Sequence, residues 1–404
     1  MRSSHLTTAK LAAFFLGASL FAAMDAYPAE QGPSFEIYGF AQTDYVQDFK
    51  RVDPAWKDTL RPTRIPTTSG QYGSDGQAIL SVRQSRFGVQ GALPEAGKNI
   101  NAKFEFDMFG VGVDEGQTTI RLRHAYGQWG QWLAGQTHSL FMDIDVFPNV
   151  IDYWGPAGMV FLRNPQIRYT PIEGDTTLSV AIERPFSDID AGQIREVDPD
   201  LGTGIKTDDK LPDLTAQVRR NMDWGHLQLG AIVRRVGYDT PGAPDSAPKG
   251  FKIGWGFDLS STVKVAERTK FLLSGVYGHG IASYMNDGGV DLAPEGNPGS
   301  LGAKAVPLFG IMAYVDHSWT EQLTSSAGYS RTQVQNTSFQ SGTAFFRGEY
   351  ASINLLYSPV KSMLVGGEFL WGRRTDNSGN LGDDLRTQIS FKYNFSSKTM
   401  AEKP

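Results

Sequence analysis

The sequence predicts an all-β protein: a transmembrane antiparallel β-barrel of about 16 strands, with one loop folded inward. Three observations predict it. Segments alternate strictly between apolar and polar residues, connections alternate between short and long, and large aromatics gather at the short-connection ends.

The alternation is clearest at Ile100–Met108, where Ile100, Ala102, Phe104, Phe106 and Met108 share one face and Asn101, Lys103, Glu105 and Asp107 the other. Phe251, Ile253, Trp255, Phe257 and Leu259 repeat it, as do Met363, Val365, Gly367, Phe369 and Trp371. The closing segment is equally regular, with Leu385, Thr387, Ile389, Phe391, Tyr393 and Phe395 against Arg386, Gln388, Ser390, Lys392 and Asn394. A period of two over this length is a strand with one apolar and one polar face.

Tight turns are expected at Pro94–Asn99, Gly127–Gln131, Pro171–Asp175, Met222–Gly225, Lys264–Arg268, Trp319–Gln322 and Ser358–Lys361. Between them fall longer loops at Lys50–Gln77, Val111–Gln117, Thr137–Pro165, Pro185–Pro212, Tyr238–Gly250, Gly280–Ala305, Gln335–Gly342 and Arg373–Asp384. Seven turns alternating with eight loops require sixteen strands, and an even count returns both chain ends to the turn side. Trp129, Trp132, Trp224, Trp319, Tyr357 and Phe395 lie at or beside the turns, where an apolar band meets headgroups. A soluble sandwich fits poorly. The chain is about twice the length of a typical sandwich domain, and in lipid only a closed sheet satisfies every strand's backbone.

Residues 1–26 read as a secretory signal, with Arg2 and Lys10 before the apolar run Leu11–Ala23 and cleavage expected after Ala26 (Ala23 and Ala29 being alternatives). The barrel domain then spans 27–404, with a tail at 396–404 after the closing aromatic Phe395. Loss of the signal leaves 36 basic against 42 acidic residues, a net charge of −6, from the 38 and 43 of the full chain. No cysteine is present, which excludes disulfides, a thiol nucleophile and a lipoprotein anchor. Mean hydropathy is −0.30, and no apolar run after the signal is long enough for a helical span. Neither argues against a barrel, whose polar lumen and loops dilute its apolar face.

The inward loop is assigned to 137–165, THSLFMDIDVFPNVIDYWGPAGMVFLRNP. It has no helical or strand period, yet it is too apolar for a solvated or disordered loop. Phe141, Ile144, Val146, Phe147, Trp154, Met159 and Phe161 need an enclosure, which the barrel supplies. The alternatives are an outward surface loop or a cap at a subunit contact.

The polar strand faces are rich in arginine. Arg121 and Arg123 share a face, Arg163 and Arg168 bracket the loop's exit, and Arg347 and Arg386 come from later strands. Arg83 and Arg86 fall on opposite faces unless a bulge intervenes, and the neighbours Arg234 and Arg235 cannot both face the lumen. Guanidinium forks match carboxylate or phosphate oxygens, and several on one wall would draw anions through a narrow passage. Arg121, Arg123 and Arg163 are the leading candidates. The bland alternative is that the arginines merely pair with Asp143, Asp145, Asp152, Glu105 and Asp107, giving a transverse field with little net selectivity. The first long loop carries Lys50, Arg51, Lys57, Arg61 and Arg64, which would form either a positive collar at the outer mouth or a solvated loop against lipopolysaccharide phosphates.

Signals for catalysis are poor. His138-Ser139 suggests a barrel lipid hydrolase only by adjacency, whereas a nucleophile and its base need a spatial arrangement. Asp143-Ile-Asp145 lacks the glycine-punctuated, glutamate-closed loop of a calcium site. No nucleotide-binding glycine loop and no basic, aromatic-studded nucleic-acid patch is present. Catalytic residues, metals, cofactors and nucleic-acid partners are therefore not expected.

The stretch Gly135–Thr170, GQTHSLFMDIDVFPNVIDYWGPAGMVFLRNPQIRYT, resembles the inward loop and following strand of the DcaP-like outer-membrane porins. FEIYGFAQTDY near the start, SRFGVQG at Ser85–Gly91 and the closing ISFKYNF are similar to trimeric porins in general. The resemblance covers essentially the whole mature chain. It implies a sixteen-stranded homotrimeric porin of the bacterial outer membrane, in contact with the lipid bilayer and lipopolysaccharide, and a role in dicarboxylic acid uptake. It assigns the pore constriction to Asp143, Asp145, Asp152, Arg163 and Arg168. The expected function is passive diffusion of small hydrophilic solutes, favouring small organic anions such as dicarboxylates. The alternatives are an unselective porin and, from another class, a lipid hydrolase.

Overall fold

The computed structural model describes residues 33–110, 119–244, 247–297 and 300–398. The signal at 1–26, the loop Val111–Gln117 and all of the tail beyond Lys398 lie outside the described residues. Among the described residues, sixteen antiparallel strands close into a barrel. Closure is made by the first strand, Ser34–Asp48, against the last, Leu381–Ser396, in register from Tyr38↔Ser396 to Asp48↔Arg386. All seven tight turns fall where expected. The first, between Glu95 and Lys98, puts Ala96 and Gly97 at φ 50° and 74°, the left-handed pair that a two-residue hairpin requires.

Two local departures change which face a residue takes. The second strand is broken, with Gln77–Ser81 and Arg86–Glu95 both pairing the first strand. Between Phe40↔Arg86 and Asp44↔Ser81 the first strand advances four residues and the second five, so a bulge intervenes. Ser85 fills it by donating to the Gln42 carbonyl and accepting from the Gln42 amide. As a result Arg83 and Arg86 both turn inward, each to its own carboxylate partner. The second departure is at Arg373–Asp384, read from sequence as a long loop. There the strands Met363–Asp376 and Leu381–Ser396 continue in register up to a four-residue hairpin at 377–380. Paired charges such as Arg373 and Asp383, 2.7 Å apart, give that hairpin the composition of a solvated loop.

The outer wall is apolar and exposed, as at Phe104, Phe257, Ile353 and Phe391, each about half accessible. Phe257→Arg places a charge on this belt and is expected to lower the folded fraction, by about 2–4 kcal/mol if the site is near mid-membrane. Heat-modifiable gel mobility would read this, with Phe257→Leu folding normally. A protease site inserted in 185–212 or 280–305 should be cut on intact cells. One inserted in 264–268 should stay protected, and the reverse pattern would overturn the topology.

The interior is filled by the loop 139–162. Phe141, Met142 and Val160 pack on Ile232, Val276, Leu308 and Val334, which are lumen-facing strand residues. Val146, Val150, Ala157 and Met159 pack on Leu272, Met312, Tyr314, Tyr350 and Leu370. The approach is closest at Gly158, where a Cβ would stand 2.1 Å from the Ile311 carbonyl oxygen and 2.5 Å from that of Arg331. Only glycine lets the loop backbone lie directly on the wall there.

Candidate functional site: a loop-lined lumen with a cationic wall

The loop is fastened around the wall by polar contacts. Near one end Asp143 accepts from His226 Nε2 at 2.6 Å and Ser260 Oγ at 2.8 Å. Farther along, the Ile151 and Asp152 amides donate to Glu368, and Gln84 and Gln388 both donate to the Ile151 carbonyl. Tyr153 then donates to Asp107 at 2.6 Å and stacks on Phe109 with ring centroids 3.7 Å apart. On the return, Thr332 donates to the Ala157 carbonyl, and the Phe161 amide to that of Tyr284.

Tyr153 meets a cationic wall. Arg123 reaches Glu105 at 2.7 Å and Asp107 at 2.9 Å, while Arg121 holds Asp107 at 3.2 Å with its side chain 28% exposed. Arg86 and Lys103 approach Glu105 at 3.6 and 3.7 Å. Lys392 lies with its Nζ 4.1 Å from the centroid of the Phe40 ring, in electrostatic reach of Arg86 and Arg123. Arg163, in register with His138 at the root of the loop, lies in electrostatic reach of Arg121, Arg123 and Asp107. Its guanidinium is 5.4 Å from the Phe161 ring, and its buried Nη1 makes no hydrogen bond among the described residues. Six cations thus surround Glu105 and Asp107, with a third carboxylate, Asp44, in reach of Lys392. Strict alternation back from Trp129, which pairs the exposed Ile100, would turn both Arg121 and Arg123 toward lipid. A further bulge brings both inward, since Glu105 pairs His124 and Phe106 pairs Leu122, leaving Arg123 as the extra residue and Arg121 opposite the buried Asp107.

Farther round the barrel the balance reverses. Glu183, Asp213, Asp258, Asp291 and Asp143 face Arg219, Arg234 and His226. Asp145 pairs Arg219 at 2.7 Å and is 44% exposed at its side chain. Burial opposes ionisation of Asp143, but His226, Arg219 and Ser260 outweigh it and hold the carboxyl below its usual range.

The sequence-selected residues therefore separate into groups. Arg121, Arg123 and Arg163 come together at the cationic wall, and Asp143 and Asp145 lie at the opposite charge balance. Arg168 turns to its own backbone surroundings, donating to Gln166 Oε1 at 3.0 Å and the His138 carbonyl at 2.6 Å. Asp152 is buried in packing. It accepts from Thr59 Oγ1 at 2.8 Å, the Leu60 and Gly155 amides at 3.1 Å and Tyr350 at 3.3 Å. Burial pushes its carboxyl above the usual range, against those hydrogen bonds. Ser139 donates to Glu183 at 2.8 Å, and the His138 ring packs on His124 with centroids 4.8 Å apart.

Lys103, Lys392 and Tyr153 were passed over in the sequence. The two lysines stand on the polar faces of the two most regular strands, so attention to cations of either kind would have found them. Tyr153 carried no such signal.

The basic first loop is largely tied locally, with Lys50 on Asp75, Arg64 on Asp53 and Arg51 on the Ser74 and Gly76 carbonyls. Arg61 is the exception. It lies between the Trp56 and Trp154 rings at 4.2 and 4.1 Å and pairs Asp287 at 2.8 Å. One guanidinium thereby joins the first loop, the inward loop and the loop 280–306. Arg234 and Arg235 divide as alternation demands, the first to Asp213 and Asp291, the second to Asp208.

A closed sixteen-stranded barrel with an apolar belt and a loop-lined, charged lumen is an outer-membrane porin-type channel. The chain belongs to the DcaP outer membrane protein family, whose model matches residues 29–395. In fold it is similar to the outer membrane channel DcaP of Acinetobacter baumannii, at 23% identity and a TM-score of 0.77, over 92% of this chain and 99% of that one. It is also similar to an anion-selective porin from Comamonas acidovorans, at 9% identity and TM-score 0.57 over 90% and 100%. OmpF of Salmonella typhi, in complex with daunomycin, gives 11% identity and TM-score 0.55 over 90% and 98%. These solved neighbours are porins and channels rather than enzymes. Among curated proteins, none matches the chain.

Proposed function

We propose that this outer-membrane channel passes small organic anions, dicarboxylates among them, by diffusion down their gradient. The observation that carries the reading is the excess of six cations over three carboxylates, Glu105, Asp107 and Asp44, where Tyr153 of the loop meets the wall. In a passage walled by low-dielectric protein such an excess raises the local anion concentration. Arg121 and Arg163 keep donors that the wall does not fully occupy, and two forks are what a dicarboxylate can bridge. Asp143, Asp145, Asp152 and Arg168 act by holding the loop and its roots in place. Removal of residues 1–26 as a signal and assembly into a homotrimer, with lipid and lipopolysaccharide around it, belong to the same reading. One solved neighbour, OmpT of Vibrio cholerae, is described in a trimer form.

The test is the reversal potential of the purified channel across a bilayer with unequal salt. An anion-side potential that shrinks as salt rises is expected, together with current block by succinate. A potential at zero would favour an unselective porin, in which the acidic side of the lumen cancels the cationic wall.

A further inference from the structure

The first long loop has the charges of a solvated segment, yet its residues 52–66 lie inside the barrel. Val52, Leu60 and Ile65 are fully buried, in one apolar cluster with Met159 of the inward loop and Tyr350 and Leu370 of the wall. Residues 68–76 stay largely exposed, and Lys50 and Arg51 close that part locally on Asp75, Ser74 and Gly76.

A seat for this segment is built into the lumen side of the last three strands, Phe345–Tyr357, Met363–Asp376 and Leu381–Ser396. Asn354, Glu368 and Gln388 form one row across them in register, and that row holds the inward loop through Ile151 and Asp152. Toward the loop end the next rows hold the first loop instead. Arg386 donates to the Lys57 carbonyl at 2.8 Å. Beyond it, a Cβ at Gly372 would stand 3.0 Å from Ile65 Cδ1 and 3.2 Å from Leu60. In the row after that, Arg374 donates to the Thr63 and Ile65 carbonyls at 3.1 and 3.4 Å, and a Cβ at Gly382 would run into the Pro66 carbonyl oxygen. The two loops thus lie one above the other on the same wall.

Asp152 joins them. Its carboxylate accepts from Thr59 Oγ1 and the Leu60 amide, and Thr59 Oγ1 accepts in turn from the Trp154 amide at 3.0 Å. The far end of the segment reaches across the mouth. Arg61 and the Thr63 amide hold Asp287 at 2.8 and 2.7 Å, and Asp188 lies in electrostatic reach of Arg61 and Arg64. Asp287 belongs to the loop 280–306 and Asp188 to the loop 185–212. Each of those loops is rooted six strands round the barrel from the root of the first loop, one on either side. In a sixteen-stranded cylinder, roots so far apart are joined only over the bore.

We infer that residues 52–66 are a second narrowing of the channel, stacked on the outer side of the inward loop and in series with it, and that this element selects solutes by size. Its arginines and aspartates are matched, Arg61 by Asp287, Arg64 by Asp53 and Asp58 by Arg83, so it adds little field of its own. Its bulk comes from the Trp56 ring, which with Trp154 closes on Arg61 from two sides. Pore diameter is then what it sets. Asp152 is a positioning residue for both elements, and loss of 143–158 takes it away and unseats both. The inference rests on the channel and not on the anion preference.

The chain has no cysteine, so a single introduced thiol reports only its own position. The test records single-channel current through Arg64→Cys while an uncharged, biotin-linked methanethiosulfonate is added on the loop side. A stepwise loss of current, restored by dithiothreitol, is expected. Glu267→Cys, on a tight turn at the opposite end, should keep its current when modified from the turn side. Unchanged current in a fully modified Arg64→Cys channel would put the segment outside the bore and overturn the proposal. A second measurement deletes residues 54–64 behind a short glycine bridge. The folded variant should conduct more than the native channel but less than one lacking 143–158, because the inward loop keeps Glu368 and Gln388. In liposome swelling it should admit larger neutral sugars than the native channel does. Native conductance in the folded deletion variant would also overturn the proposal. So would an altered reversal potential at native conductance, which would make the segment a charged collar. The thiol measurement leaves the loop whole, so the test stands even where the deletion variant does not fold. An anion-side reversal potential should persist in both variants, so failure here is separable from failure of the anion reading.

Discussion

Replacing Arg121, Arg123 and Arg163 together by glutamine is expected to carry the reversal potential from the anion side toward the cation side and to weaken block by succinate. The wall then keeps Arg86, Lys103 and Lys392 against Glu105 and Asp107, with Asp44 in reach of Lys392. Arg123 matters most to the sign, because it is held between both carboxylates and its removal leaves two buried charges under-compensated. The shift should be largest in dilute salt and fade as the screening length falls below about 8 Å. Arg163→Gln alone should fold normally, since Nη1 has no hydrogen-bond partner to orphan, and should move the potential less in the same direction. Unchanged selectivity in the folded triple variant would end the anion reading while leaving a porin.

Deletion of residues 143–158, with a short glycine bridge, is expected to raise single-channel conductance severalfold and erase discrimination by solute size. The two sides of the loop meet at Met142 and Leu162, where the Leu162 amide lies 3.4 Å from the Met142 sulfur, so the glycine bridge has only to lead from Met142 to Met159, three residues before that contact. The deletion removes the segment that binds His226, Glu368, Gln388 and Asp107 in turn, so the cross-section it occupies becomes water. It also bares Leu272, Met312, Tyr314, Tyr350 and Leu370, so the barrel should unfold at a lower temperature. A folded deletion variant of native conductance would mean that the loop does not limit the pore.

Much of the fold could be read because lipid imposes a face on every strand. The reading was clearest at Lys98–Asp107 and Gly250–Ala266, where the lumen side is polar. It blurred at Thr269–His279 and Pro307–Ser318, where Leu272, Val276, Leu308, Met312 and Tyr314 turn apolar side chains inward. Those exceptions mark where the loop lands, so the places that looked least like barrel strands carried information about the interior. That Arg121 and Arg123 share a face followed from spacing, but that the face is the lumen side rests on the bulge at Arg123. The inward turn of both Arg83 and Arg86 did not follow from spacing either, because one extra residue in a backbone leaves no mark on composition. Nor could the burial of Asp152 be read, since its partners Thr59 and Tyr350 are far away in sequence.

The fastening of the loop has a consequence for the order of assembly. Ile151 and Asp152 reach Glu368 across 217 and 216 residues, and Ile151 reaches Gln388 across 237. Those partners are the last to be made and lie on the final two strands, Met363–Asp376 and Leu381–Ser396, the second of which closes the barrel against the first strand. Contacts of such separation bear a large closure entropy and form late. The loop therefore has no complete seat until the cylinder is shut, and before then its phenylalanines, methionines and valines are bare. Closure of the cylinder is thus a precondition for the narrowing of its bore.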